Sequence, residues 1–449
     1  MSLSSTDLTH LIAATVLLLL AAHALGRLAT RLRQPRVAGE ILGGLLFGPT
    51  LFGLLAPGWQ GAVFHGGAAT QAGLAIGYQL GLLLLMYCSG MELRALLSRG
   101  ERKAVVGIAV VGNVVPFLAG LAFLALYDTS RFLGTAGDRF SFGLVFALAI
   151  AVTSIPVISR IMADLGILGS RFARIVLSVA VLEDLVVYVV LNIALARVAA
   201  GNADTSGVLG LLGLDAGGGV GIGYHVVVTL AFFLLPVFTG PGLVQRLADW
   251  RGNLLHRASP IAFQLVFMLS LTGLASFLGV APIFGALVAG ILAGDLRGED
   301  LEASRAISSV SSATLVPLYF ALVGLRLDLV GAFEPLFFLF LLAFACLIKS
   351  ISCYVGARLV GESRSGSGNL AMALNARGGP GIVLASVALD AGIIDDSFYT
   401  MLVMLALVTS VIAGSWLEAV LKRGRSLLPS ESDDDQGRVR GLTGARGPR

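Results

Sequence analysis

From Leu8 to Val420 the chain is a succession of apolar runs, most of them about twenty residues long, divided by short polar loops. Twenty helical residues rise about 30 Å, the hydrocarbon thickness of a bilayer. With 56% hydrophobic and 13% charged residues, the chain has too little polar surface for a soluble globule. The pattern predicts thirteen spans, at approximately 8–28, 37–55, 72–93, 104–126, 142–162, 172–196, 222–243, 260–279, 280–296, 309–327, 333–357, 368–391 and 397–420. The eighth and ninth are nearly continuous and are divided at Pro282.

Arginine and lysine test this count. Loops after odd-numbered spans carry eighteen of them, from Arg27 to Arg364, against Arg131, Arg139, Arg197 and Arg326 on the other side. The positive-inside rule then places the N-terminus outside and the C-terminus in the cytoplasm. The expected organisation is a transmembrane domain over 1–421, with halves at about 8–196 and 260–420 joined by a linking helix over 222–243. The external loop 198–221 reads as a flexible linker, and residues 422–449 as a disordered cytoplasmic tail.

A displacement of seven spans aligns the halves. Gly39-x-x-x-Gly43 and Gly44-x-x-x-Gly48 in the second span correspond to Gly290-x-x-x-Gly294 in the ninth. The third ends Gly90-Met91-Glu92-Leu93 and the tenth Gly324-Leu325-Arg326-Leu327. Seven is odd, so paired spans cross in opposite senses, the inverted repeat of secondary transporters. Two corresponding spans are also broken. The fifth contains Thr153-Ser154-Ile155-Pro156 and the twelfth Asn375-Ala376-Arg377-Gly378-Gly379-Pro380-Gly381. Each break frees backbone polar groups, tolerated at that depth where they line a cavity or pair with protein. The fold expected is all-α and polytopic: two inverted six-helix repeats with two broken helices that cross.

Charge inside the spans marks the chemistry. Glu183 and Asp184 stand side by side in an otherwise uncharged run from Ile175 to Leu195. Each acid at mid-depth costs roughly 2.5–3.5 kcal/mol on insertion scales, so something must compensate the pair. Lys349 is mid-span in the eleventh run of a chain with only three lysines, and is the natural partner for one of them. Adjacent residues point about 100° apart on a helix, so one acid should face Lys349 and the other the cavity. Carboxylates with Thr153 and Ser154 hydroxyls and freed carbonyls suit a hard cation, for which protons would compete. Arg377 inside the second break either offsets helix carbonyl ends or pairs with an acid, and Asn375 stands beside it. Glu40, Glu92 and Arg326 read as helix-end residues reaching the interface.

Other classes find no support. The basic residues are spread over short loops rather than gathered as a nucleic-acid site, and the glycines at 217–219 lack a nucleotide-binding pattern. Cys88, Cys346 and Cys353 lie in apolar runs without metal spacing and read as small core residues.

At these residues the chain resembles the cation–proton antiporter superfamily, in its thirteen-helix branch. The matching stretches are Gln34 to Leu42, Thr153 to Arg160, Ala180 to Leu185, Pro317 to Leu329, Lys349, and Met401 to Val403. The resemblance implies that Asp184 binds cation and proton in turn, with Glu183 and Lys349 as its partner positions. It also implies a moving core of spans five, six and eleven to thirteen, and a dimerising panel of one, two, eight and nine. Familiar members carry Asp-Asp, Asn-Asp or Gln-Asp where this chain has Glu183-Asp184.

The function expected is exchange of Na⁺ or K⁺ for H⁺ by alternating access, in a bacterial inner membrane, by a homodimer. An exchanger is no enzyme and needs no cofactor. Two titratable acids predict electrogenic exchange, although a permanent Glu183–Lys349 pair would be electrically silent. The alternatives are a transporter of an organic ion on the same fold, with Arg377 holding an anion, and a membrane cation sensor.

Overall fold

The computed structural model describes residues 4–428 apart from 33, 65–66, 97–101, 202–207, 209–222, 225–226, 234–241, 251 and 295. The helices that matter below are α1 (Ser5–Arg31), α2 (Arg36–Phe47), α3 (Ala68–Leu96), α4 (Arg102–Leu126), α5 (Arg139–Ala151), α6 (Ile155–Asp164) and α7 (Arg171–Gly201). They continue as α8 (Pro260–Phe277), α9 (Pro282–Ala293), α10 (Glu299–Ala313), α11 (Leu315–Leu325), α12 (Pro335–Leu359), α13 (Arg364–Ala373), α14 (Gly378–Asp390) and α15 (Asp396–Lys422). Among the described residues no strand forms; one isolated antiparallel bridge joins Leu133 to Ile394.

Ten described stretches are helical, long and apolar enough to cross a bilayer, alongside the shorter apolar helices α5 and α9. The count of thirteen is not reached, because the linking helix over 222–243 and the loop 198–221 fall largely outside the described residues. So does the tail beyond 428. The divided eighth and ninth runs are separate helices, α8 and α9, turned at Gly279, whose φ of +74° suits a residue without Cβ. The tenth run begins about ten residues earlier than its hydropathy suggests. There α10 is amphipathic, and Thr314, at φ −130° and ψ −80°, breaks it from α11.

Surface and interior are inverted relative to a soluble protein. On α1 the small residues Ala14 and Ala22 are fully buried while Leu20 is 63% exposed. Arg377 and Lys349 are among the largest fully buried side chains. Apolar groups facing outward suit hydrocarbon, and the mid-span charges Glu183, Asp184, Lys349 and Arg377 lie in the bundle interior.

The helices group into two bodies. α1, α2, α3 and α8–α11 pack with one another as a scaffold, and α4–α7 with α12–α15 as a core. The scaffold is tied by glycines. A Cβ on Gly44 would overlap the Ala321 carbonyl, and one on Gly324 that of Ile41, where α2 crosses α11. Where α9 crosses α3, Gly290 stands against the Tyr87 carbonyl and Gly90 against that of Leu287. Gly39 lies on Leu25 and Gly26 of α1, as Gly285 lies on Leu271 and Thr272 of α8. The seven-span displacement therefore aligns residues that make equivalent backbone contacts. Small residues at such crossings let helices approach without a hydrophobic driving force.

Glu40 corrects its sequence reading. It does not reach the interface: it is 3% exposed, and Arg36 one turn earlier reaches it at 2.8 Å.

Candidate functional site

The two breaks cross at the centre of the core. Val152 and Ser154 take extended conformations between α5 and α6, which takes their peptide groups out of the helical ladder. Residues 374–377 interrupt α13 and α14. The freed groups pair across the crossing. Ser154 N donates to the Ala376 carbonyl (2.6 Å), and the Thr153 hydroxyl to that of Leu374 (2.6 Å). Ser154 Oγ accepts from Val157 N at the start of α6 and from Gly379 N at the start of α14. One hydroxyl thus caps two half-helices. The backbones are close enough that a Cβ on Gly378 would run into Val157 and Ser154.

The C-terminal end of α5 is held by cations. Arg377 donates from Nε to the Ala149 carbonyl (3.2 Å), and from its terminal nitrogens to those of Ile150 (3.0 Å), Ala345 (2.9 Å) and Asn375, and to Asn375 Oδ1 (2.8 Å). A guanidinium has five N–H groups, and here all five are used on protein oxygens. Of the two roles open to Arg377 from sequence, the structure realises the first: it neutralises the carbonyl pole of a half-helix. Asn375 Nδ2 donates to Ser350 Oγ (2.6 Å) and the Cys346 carbonyl (3.1 Å), which fixes the residue that Arg377 leans on.

Lys349 completes the same helix end. Its ammonium donates to the carbonyl of Ala151, to that of Gly112 on α4 (2.9 Å), and to Glu183 Oε2 (2.8 Å). An ammonium has three N–H bonds, so it too is saturated. Both Lys349 and Glu183 are fully buried.

Asp184 differs from its neighbour. It is 2% exposed, and no hydrogen bond reaches its Oδ1. With Glu183 Oε1 it supplies two of the four buried side-chain oxygens without a partner among the described residues. Leaving a buried acceptor empty costs about 1–3 kcal/mol, and more for a charged one, so these oxygens invite a proton, a water or a cation. Tyr188, one turn beyond Asp184, lines a cavity of about 190 Å³ between the bodies. Glu40, Met86 and Ser312 line it from the scaffold, Gly379 and Pro380 from the core.

Thr153, Ser154, Glu183, Asp184, Lys349, Asn375 and Arg377 therefore lie together around one crossing. Sequence reasoning missed the Gly112 carbonyl on α4 and the Thr409 and Ser410 hydroxyls of α15, which receive Arg377 N and Gly378 N. Only the unusual polar pair Thr409-Ser410 in an apolar run signalled the latter.

This arrangement has relatives. The transmembrane sodium/hydrogen exchanger family matches over residues 15–423. The K⁺/H⁺ antiporter 1 of Saccharomyces cerevisiae is 27% identical over 423 residues, covering 91% of this chain and 46% of that protein. The chain thus spans about half the length of that relative. It matches nearly the whole of the Na⁺/H⁺ antiporter NhaS4 of Synechocystis, at 27% identity over 91% of this chain and 96% of the other. The Na⁺/H⁺-K⁺ antiporter GerN of Bacillus cereus is 24% identical, over 90% and 94% of the two chains. In three dimensions the sodium proton antiporter MjNhaP1 from Methanocaldococcus jannaschii superposes with a TM-score of 0.64 at 14% identity, over 92% of this chain and 97% of that one, and so shares its fold. Since the family pattern runs through almost the entire described bundle, the chain belongs to the transmembrane sodium/hydrogen exchanger family.

Proposed function

We propose that the chain exchanges Na⁺ or K⁺ for H⁺ across a membrane by alternating access, with Asp184 carrying either ion in turn. The observation that carries this reading is the buried Asp184 carboxylate, whose Oδ1 has no partner, beside a Glu183–Lys349 pair whose ammonium is saturated, where two broken helices cross. Lys349 answers Glu183, and Arg377 is spent on neutral oxygens, so among the described residues Asp184 has no counter-charge in contact. A hard cation meets oxygen there, from Asp184 and from the lone pairs of Thr153. Ser154 serves the site as a cap, because its oxygen already accepts two backbone N–H groups. The relatives named above are all cation/proton antiporters by name, which supports the same reading. The organic-anion reading loses its ligand, since Arg377 has no donor left over.

The saturation of Lys349 supports the silent route over the electrogenic one. With Glu183 locked, one proton is exchanged for one monovalent cation at Asp184. Flux in proteoliposomes should then be indifferent to an imposed diffusion potential; a rate that follows voltage would return Glu183 to the cycle. Arg and Lys placement supports an inner-membrane protein with its N-terminus outside. The apolar outer faces of α1 and α8 support contact with lipid or with a second copy.

The deciding experiment is proton flux from purified protein in liposomes, with Na⁺, K⁺ and Li⁺ added in turn. Asp184→Asn keeps the shape and removes the charge, and should abolish exchange in a protein that still folds and reconstitutes. Substantial cation-dependent flux from that variant would move the binding role to Glu183.

A further inference from the structure

We infer that the Arg326–Asp390 ion pair is a latch that closes the seam between scaffold and core at its end of the membrane, and that the transport cycle must open it. The inference rests on the alternating access proposed above, and adds to it a place where one side is sealed.

Among the described residues Arg326–Asp390 is the one ion pair that joins the two bodies. Arg326 follows the last turn of α11 in the scaffold, Asp390 ends α14 in the core, and they meet at 2.8 Å. Arg326 was expected to reach for the interface; it reaches across the seam instead. Its guanidinium also lies 4.7 Å from the centre of the Tyr78 ring, which packs at 5.1 Å on Tyr319. Beneath the pair, Tyr319 and Ser386 hydroxyls join the bodies again (3.4 Å), as do the Tyr399 hydroxyl and the Val323 carbonyl (3.2 Å). A cavity of about 620 Å³ stands over this floor, lined by Gln60, Leu325, Arg326, Leu389, Asp390 and Asp396.

The opposite end is built otherwise. Among the described residues the polar contacts seen there lie within one body: Arg36 with Glu40 and with His23, and His23 with the Ala313 carbonyl, in the scaffold; Arg171 with Glu362, and Asn369 with the Leu427 carbonyl, in the core. Between the bodies at that end lies the cavity bounded by Glu40, Tyr188 and Pro380. Among the described residues, one end is clasped by an ion pair between the bodies and the other shows none.

The clasp is suited to repeated opening. Arg326 and Asp390 side chains are 41% and 32% exposed, so water can replace each partner at small cost. Fully buried pairs such as Lys349–Glu183 hold too tightly for that. Ser386, one turn before Asp390 on α14, is completely buried while the pair is closed, and would be uncovered by separation.

The test is thiol reactivity. Cys88, Cys346 and Cys353 are replaced, Ser386→Cys is introduced, and the full chain is reconstituted with a charged maleimide on both sides of the liposome. Arg326→Asp and Asp390→Arg should each raise the labelling rate about two- to fivefold, the range expected for losing a half-exposed pair. The double exchange Arg326→Asp/Asp390→Arg should return labelling to the starting rate. Should the charge reversals not fold, Arg326→Gln and Asp390→Asn carry the same comparison with smaller increases. Single variants that label like the parent would overturn the latch, as would a double exchange as reactive as the singles. The expected labelling order supports the latch even in a protein that moves no cation, where only the exchange reading would fail.

Discussion

The two broken helices occupy equivalent places in the two halves, yet their freed carbonyls are treated differently. At the end of α5, Ala149 and Ile150 are met by Arg377 and Ala151 by Lys349. At the end of α13, Leu374 is met by a hydroxyl and Ala376 by a peptide N–H. One pole is neutralised by full charges and the other by neutral donors. Two fixed cations at one helix end permit two carboxylates nearby. The asymmetry is what lets Glu183 be spent on structure, while Oδ1 of its neighbour Asp184 is left without a partner. Inverted repeats supply the matched backbone; side chains from one half make it unequal.

Four substitutions probe that inequality. Lys349→Ala should be the most damaging, because it strands the buried Glu183 carboxylate as well as two carbonyls. Breaking such a pair costs about 3–5 kcal/mol. The midpoint of thermal melting in detergent reads it, and an unmoved midpoint would show that α5 does not depend on its charged cap. Arg377→Gln should cost less, about 2–3 kcal/mol, since it leaves carbonyls unpaired but no acid. Ranking above Lys349→Ala in the same assay would make Arg377 the principal charge at that pole. Ser154→Ala is expected to cost about 1–2 kcal/mol, because the hydroxyl caps α6 and α14 together. Ser410→Ala, which removes the acceptor for Gly378 N alone, should cost less. Equal losses from the two serines would mean that only one of the caps on Ser154 matters.

Much of this was legible in the chain. The breaks show because proline and consecutive glycines cannot continue a helix, and Glu183, Asp184 and Lys349 show because charge at mid-span is costly. The glycine displacement showed the repeat. What did not show depends on which elements cross. Nothing in the periodicity around Gly112 says that its carbonyl turns toward a lysine in another span. Asp390 and Arg326 each look like an ordinary helix terminus until α14 is set beside α11. Glu40 looked like an interface residue because its depth was judged from distance to a loop, whereas its burial comes from packing against α1. The choice between two roles for Arg377 needed the positions of five acceptors, three of them in other helices.

The paired glycine crossings of the scaffold have a mechanical consequence. Side-chain contacts have slack, because a leucine can change rotamer and let its neighbour shift. Backbone resting on backbone, as at Gly44 with Ala321 and Gly290 with Tyr87, has none. The scaffold is therefore a frame riveted at two corresponding joints, and it cannot absorb motion by breathing. Any displacement between the bodies has to appear as sliding along the seam, where the contacts are side chain to side chain or side chain to carbonyl. A methyl group added at one rivet alone would act as a shim, skewing the frame; matched methyls at both would spread it evenly. Comparing Gly44→Ala and Gly290→Ala with the double variant in the melting assay would reveal which distortion the frame tolerates.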